Sequence, residues 1–196
     1  MRAVKRVVGR ALPIDRANVD TDQIIPAHWL KRVERTGYGA GLFEAWRRDP
    51  AFVMNDPRYA GATILIAGAN FGSGSSREHA VWALDEAGFR AVIAPRLADI
   101  FRANCLKSGV VPVEIDTDAV AKLMSLVEGD PRVEITVDVE RRTVEGPGVL
   151  AAFTLDEHAR ERLLEGLDDI AVTLAHADEI TTYEASRASW LPSLRD

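Results

Sequence analysis

Apolar and polar positions along the chain change period several times, and each period predicts a different element. The N-terminal VKRVVGRALPI reads as a strand, and from residue 62 onward ATILIAG, AVIAP and GVVPVEI are short continuous apolar runs of buried-strand type. Between them lie SREHAVWALDEAG and LADIFRANCLKSG, two predicted helices, each ending at a glycine suited to a left-handed cap, Gly88 and Gly109. Strands alternating with helices predict a parallel βαβ core with right-handed crossovers. TDAVAKLMSLVEG places Val120, Leu123, Met124 and Val127 on one helical face. RVEITVDVERRTVEG alternates apolar and charged residues, the mark of an antiparallel hairpin with one wet face.

The remaining segments are less periodic. DEHARERLLEGL predicts a surface helix capped by Asp156, and DDIAVTLAHADEITTYEASRASWLP a helix that stops before Pro192. Near the N-terminus a polar loop, DRANVDTDQ, leads into IIPAHWL and then KRVERTGYGAGLF. Gly37, Gly39 and Gly41 predict a flexible loop of the kind that closes over a ligand. AWRRDPAFVMNDPRYAG predicts a short helix and turns punctuated by Pro50 and Pro57. No repeat or low-complexity tract divides the chain, so one α/β domain over residues 1–196 is expected, with a helical C-terminal extension from residue 156.

Composition narrows the chemistry. A hydrophobic content of 47% with 28% charge belongs to a globular protein. No apolar run reaches bilayer length and no secretory h-region opens the chain, which predicts a cytoplasmic protein without a membrane partner. The net charge of −6 argues against nucleic acid. Residues 1–50 nevertheless carry ten Lys/Arg against six Asp/Glu, a basic quarter that suits either a carboxylate substrate or a solvated face. A single cysteine, Cys105, excludes an internal disulfide and any zinc or iron–sulfur site built from this chain's own thiolates. His28, His79, His158 and His176 have no metal-motif spacing. Metal chemistry, if used, must be held elsewhere, and Cys105 reads as a buried apolar residue.

One stretch stands out, NFGSGSSREHA at residues 70–80, a glycine-rich turn between a strand and a helix. It fails the dinucleotide fingerprint because Arg77 occupies the third glycine position. It lacks the P-loop lysine, and Glu78 breaks a nucleophile elbow. Ser75 and Glu78 match a capping box, which on the residues alone is the stronger reading. Anion binding is the weaker one, carried by Arg77 in a first helical turn, where a cation opposes the dipole unless a negative ligand docks. Asp20, Thr21 and Asp22 form a second candidate, either turn formers or a carboxylate that orients a partner group.

Taken together, DTDQIIPAHWLKR, GSGSSREHA and IFRANCLKSGVVPV, in that order, resemble the swivelling domain of the aconitase family. More closely they resemble the small subunits of bacterial isopropylmalate isomerases, over essentially the whole chain, including YEASRASWLP. The resemblance implies a swivelling β/β/α fold with a mixed sheet and an activity shared with a large subunit that bears a [4Fe-4S] cluster. The implied reaction on a small dicarboxylate is dehydration of 2-isopropylmalate to 2-isopropylmaleate and rehydration to 3-isopropylmalate, in leucine biosynthesis. Ser75 matches the catalytic base, Ser76 and Arg77 the substrate-carboxylate clamp, and Asp22, beside Thr21, a supporting aspartate. The segment His28–Arg32, with Leu30 at its centre, falls where such proteins read the substrate side chain, and Arg32 or Arg35 where they bind a carboxylate. Sister hydro-lyases acting on homoaconitate, citraconate with 2-methylmalate, or a dimethylmalate share the pattern, as would a non-catalytic carboxylate-binding protein.

Overall fold

The structure is a computed structural model that describes residues 1–34, 36–188, 190 and 191. The candidate Arg35 and the expected helix stop at Pro192 lie outside the described residues.

The N-terminal run forms β1 (Arg6–Ile14), and the three later runs form β2 (Ile64–Ala67), β3 (Ala91–Ala94) and β4 (Val111–Glu114). The alternating segment supplies β5 (Glu134–Asp138) and β6 (Thr143–Gly146), and β7 (Val149–Ala152) follows. Together they make a seven-stranded mixed sheet in the order β4-β3-β2-β1-β5-β6-β7. Strands β1 to β4 pair in parallel and β5 to β7 pair antiparallel, with β1 shared between the halves. The C-terminal half of β1, Ala11–Ile14, runs beside β2 and is wholly buried. Its N-terminal half lies against β5, with Val7 buried opposite Val137 and Val8 facing outward. Strands β2 and β3 are buried along their whole length, which is why they read as unbroken apolar runs.

The helices are α1 (Thr21–Ile24), α2 (Glu44–Arg47), α3 (Glu78–Glu86), α4 (Asp99–Ser108), α5 (Thr117–Gly129), α6 (Glu157–Glu165), α7 (Asp169–Leu174) and α8 (Ala177–Ser186). Helix α5 buries Val120, Leu123, Met124 and Val127, the face its periodicity predicts. Asp156 caps α6, accepting a 2.9 Å hydrogen bond from the Ala159 amide. Gly88 and Gly109 adopt the expected left-handed conformation. The C-terminal extension is helical but broken, since α7 and α8 meet near His176 instead of forming one helix. The chain start is tied to this extension by the Val4 amide on the Leu163 carbonyl and the N-terminal ammonium on the Gly166 carbonyl, at 2.7 and 3.1 Å. Among the described residues no helix is long and apolar enough to cross a membrane.

Candidate active site

The glycine-rich turn leaves the C-terminal end of β2 and is shaped by two residues in the left-handed region, Gly72 (φ +81°) and Gly74 (φ +90°). Gly72 has a second constraint, because a Cβ there would lie 2.2 Å from the Phe101 ring. Opposite stands the loop before α1, whose last residue forms a capping box: the Gln23 amide donates to the Asp20 carboxylate at 2.8 Å, and the Asp20 amide donates to the Gln23 side chain at 3.0 Å.

The two loops are stitched together. Asp20 forms a parallel bridge with Ser73, and the Thr21 amide donates to the Ser73 carbonyl at 2.9 Å. Thr21, only 2% exposed, donates its hydroxyl to the Ser75 carbonyl at 3.1 Å. One residue further, the Arg77 guanidinium donates through Nη1 to the Asp22 carboxylate in an ion pair. The Arg77 side chain is 16% exposed and Asp22 is open to solvent. Residues more than fifty positions apart thus place Thr21 and Asp22 directly on the serine-arginine segment.

This stitching corrects the capping reading. Helix α3 starts at Glu78, the cap position belongs to Arg77 in extended conformation (φ −120°, ψ 104°), and no side chain caps it. The pull of Thr21 and Asp22 and the two left-handed glycines keep residues 73–77 out of the helix, so Ser75 sits three residues before its first turn. Ser75 and Ser76 are exposed, and among the described residues their hydroxyls have no protein partner. Helix stability therefore does not account for either serine.

The loop that follows α1 borders the same helix end. Residues Ala27–Lys31 form a 3-10 turn in which Trp29 and Leu30 are half-buried. The expected flexible glycine loop is instead packed: Tyr38–Gly41 form a second 3-10 turn against α3. The Tyr38 ring meets the His79 and Trp82 rings at 5.2 and 5.6 Å, and the Gly39 amide donates to Glu86 at 2.9 Å. His79, two residues beyond Arg77, is held below the usual imidazole range by desolvation, which outweighs the attraction of Glu78; the Arg77 charge depresses it further.

Arg32 lies with its guanidinium carbon 5.1 Å from the Trp29 ring centre and its Nε 3.7 Å from Glu34. Sequence reasoning passed over Glu44, whose carboxylate accepts from the Trp29 indole at 2.5 Å, stands 3.0 Å from the His28 imidazole and accepts from Arg48 at 3.2 Å. The Trp29 hydrogen bond, aided by His28 and Arg48 and opposed by partial desolvation, keeps the Glu44 carboxyl below its usual range. Nothing in the spacing of Trp29 and Glu44 signals that contact.

Among the described residues no group of three or more His, Cys, Asp or Glu side chains gathers where a metal ion could sit. Cys105 is fully buried in α4, and burial pushes its thiol far up. These donors do not fit an iron–sulfur cluster, which needs several accessible thiolates.

Residues 1–118 match the family model of the aconitase C-terminal domain, and residues 169–194 match that of the C-terminal domain of 3-isopropylmalate dehydratase small subunits. A 3-isopropylmalate dehydratase small subunit of Parafrankia sp. (strain EAN1pec) is 59% identical over 193 residues, covering 98% of this chain and 99% of that protein. The chain belongs to the 3-isopropylmalate dehydratase small-subunit family. Its relative from Streptomyces coelicolor is 58% identical over 192 residues, 98% of each chain. In fold, this family member is similar to the crystal structure of a 3-isopropylmalate dehydratase from Methanocaldococcus jannaschii, with a TM-score of 0.66 and 24% identity over 91% of this chain and 99% of that one. The mixed sheet with flanking helices and a helical C-terminal part is the architecture the family resemblance implied.

Proposed function

We propose that this chain is the small component of a cytoplasmic two-chain hydro-lyase that isomerises 2-isopropylmalate to 3-isopropylmalate through 2-isopropylmaleate. All 196 residues act as one swivelling domain with its helical extension. The observation that carries the reading is the stitching of Thr21 and Asp22 onto Ser75–Arg77. It leaves two serine hydroxyls open at the site and uses one arm of Arg77, and a guanidinium has five N–H donors to share. Ser75 is the base that takes the proton next to a substrate carboxylate, Ser76 and Arg77 hold that carboxylate, and Asp22 fixes the orientation of Arg77. Leu30 and the 94% exposed Val33 offer apolar surface for an isopropyl group, and Arg32 or Arg35 binds the second carboxylate.

In this reading the [4Fe-4S] cluster is carried by the large subunit, in keeping with the single, buried Cys105 of this chain. That partner is also required on energetic grounds. A helix N-terminus contributes at most about 2 kcal/mol, about 1.5 pKa units, far less than is needed to ionise a serine near neutral pH. The rest has to come from positive charge and hydrogen-bond donors, Arg77 among them, gathered in a site completed by the second chain, since excluding water alone raises the pKa of a hydroxyl.

The test is Ser75→Ala in the complex reconstituted anaerobically with the large subunit. Because Ser75 caps nothing, stability should stay within about 0.5 kcal/mol of the parent while turnover falls by orders of magnitude. Full turnover in this variant, or turnover by the isolated chain, refutes the reading.

A further inference from the structure

Three contacts converge on the Trp29 indole, from Glu44, Gly41 and Arg32. Its N–H donates to Glu44 at 2.5 Å, and the same carboxylate oxygen stands 3.0 Å from the His28 imidazole. One face of the ring lies where a Cβ on Gly41 would come within 2.5 Å, so only glycine admits it there. The Arg32 guanidinium carbon lies over the ring, 5.1 Å from its centre. Beyond that guanidinium, a Cβ on Gly37, itself left-handed at φ +88°, would come within 3.2 Å of an Arg32 nitrogen. The glycines that predicted a flexible loop thus leave Trp29 its clearance, at Gly41, and set a left-handed turn beside Arg32, at Gly37.

The backbone is bent to bring Glu44 to this place. Phe43, immediately before it, is fully buried in the left-handed conformation (φ +50°, ψ 33°), uncommon for a bulky residue. Stacking on Trp46 at 5.2 Å and the hydrogen bond from its amide to the Ile24 carbonyl hold it there.

We propose that Glu44 and Trp29 are positioning residues for substrate binding: Glu44 locks the indole, and the indole holds Arg32 as the arm that receives a substrate carboxylate. An arginine is rich in rotamers, and a stacked one has surrendered that freedom before the ligand arrives. The Arg32 side chain is 37% exposed with its Nε 3.7 Å from Glu34, and a guanidinium with five N–H donors keeps others for a carboxylate. This inference rests on the substrate class given above and assigns that role to Arg32 within it.

Two measurements test it. In the reconstituted complex, Glu44→Ala and Trp29→Phe each raise KM for 2-isopropylmalate about fivefold, the worth of one hydrogen bond, with kcat within about twofold. Glu44→Gln, which keeps an acceptor for the indole, restores most of the parental KM. On an Arg32→Ala background, which raises KM by itself, Trp29→Phe adds nothing further. An unchanged KM, or additive effects of Arg32→Ala and Trp29→Phe, overturns the proposal. Separately, the Arg32 Nε–H proton in NMR spectra of the full chain lies upfield through the indole ring current and moves downfield in Glu44→Ala; an unshifted resonance in the parent chain overturns it without reference to activity. A parent complex inactive on 2-isopropylmalate, or active without Ser75, refutes the functional reading instead and leaves the NMR result to decide the stack.

Discussion

Replacing Thr21 by valine tests the link between the two loops most directly. Thr21 is buried and its hydroxyl donates to the Ser75 carbonyl at 3.1 Å, a bond that closes a separation of 54 residues. Valine keeps the shape and removes the donor. An amide carbonyl left without a buried partner costs up to about 3 kcal/mol, but Ser75 is exposed, so water replaces part of the loss and about 1 kcal/mol is expected. With a urea m-value of about 2.5 kcal/mol/M, the midpoint falls by about 0.4 M. Turnover should suffer more than stability, since a reacting group displaced by about 1 Å loses on the order of a hundredfold. Urea titration of the chain and kcat of the reconstituted complex are the assays. Thr21→Ser, which retains the hydroxyl, should keep kcat. Parental kcat in Thr21→Val, or an equal loss in Thr21→Ser, refutes the argument that this bond places Ser75.

Gly72→Ala combines backbone strain at φ +81° with a Cβ 2.2 Å from the Phe101 ring, and about 2–5 kcal/mol should be lost in chemical denaturation. Asp138 is desolvated, yet the Arg141 amide and the Arg6 guanidinium outweigh this and hold its carboxyl below the usual range. Its folded pKa is depressed, so the stability it contributes is present above the unfolded value of about 3.9 and lost as pH falls through the folded one. Arg6→Met should therefore shift acid unfolding to higher pH, as followed by circular dichroism. Cys105 should react with a disulfide reagent no faster than the chain unfolds, because burial both hides its thiol and disfavours the thiolate.

Elements whose signal is local were legible in the sequence. The α5 face follows from the spacing of Val120, Leu123, Met124 and Val127, and the α6 cap from Asp156 ahead of an amphipathic run. Strand β7 was not, since VLAA neither alternates nor is fully buried. The Ser75–Glu78 pattern satisfied a local rule that two distant residues override: Thr21 and Asp22 hold the segment out of the helix, and a helix with its cap signal at residue 75 starts at 78. The glycines at 37 and 41 have the same lesson in reverse. Their composition suggested mobility, whereas Gly41 is needed for its lack of a side chain beside Trp29 and Gly37 for its left-handed backbone. The candidate residues were legible as types and as an ordered set of motifs. Their contacts were not, because ion pairs and stacks between separate loops leave no period in a sequence.

The shared strand β1 has a consequence for how the chain is made. Arg6 pairs with Asp138, 132 residues later, while the β2–β3–β4 segment is complete by Glu114. At a synthesis rate of about 5–20 residues per second, the N-terminal strand waits roughly 7–26 s for its antiparallel partner to be translated. During that interval the parallel half can assemble on β1, but the edge meant for β5 stays open. A nascent chain of this protein therefore carries an unpaired strand edge at the ribosome longer than its modest size suggests, the condition under which strands seek the wrong neighbour.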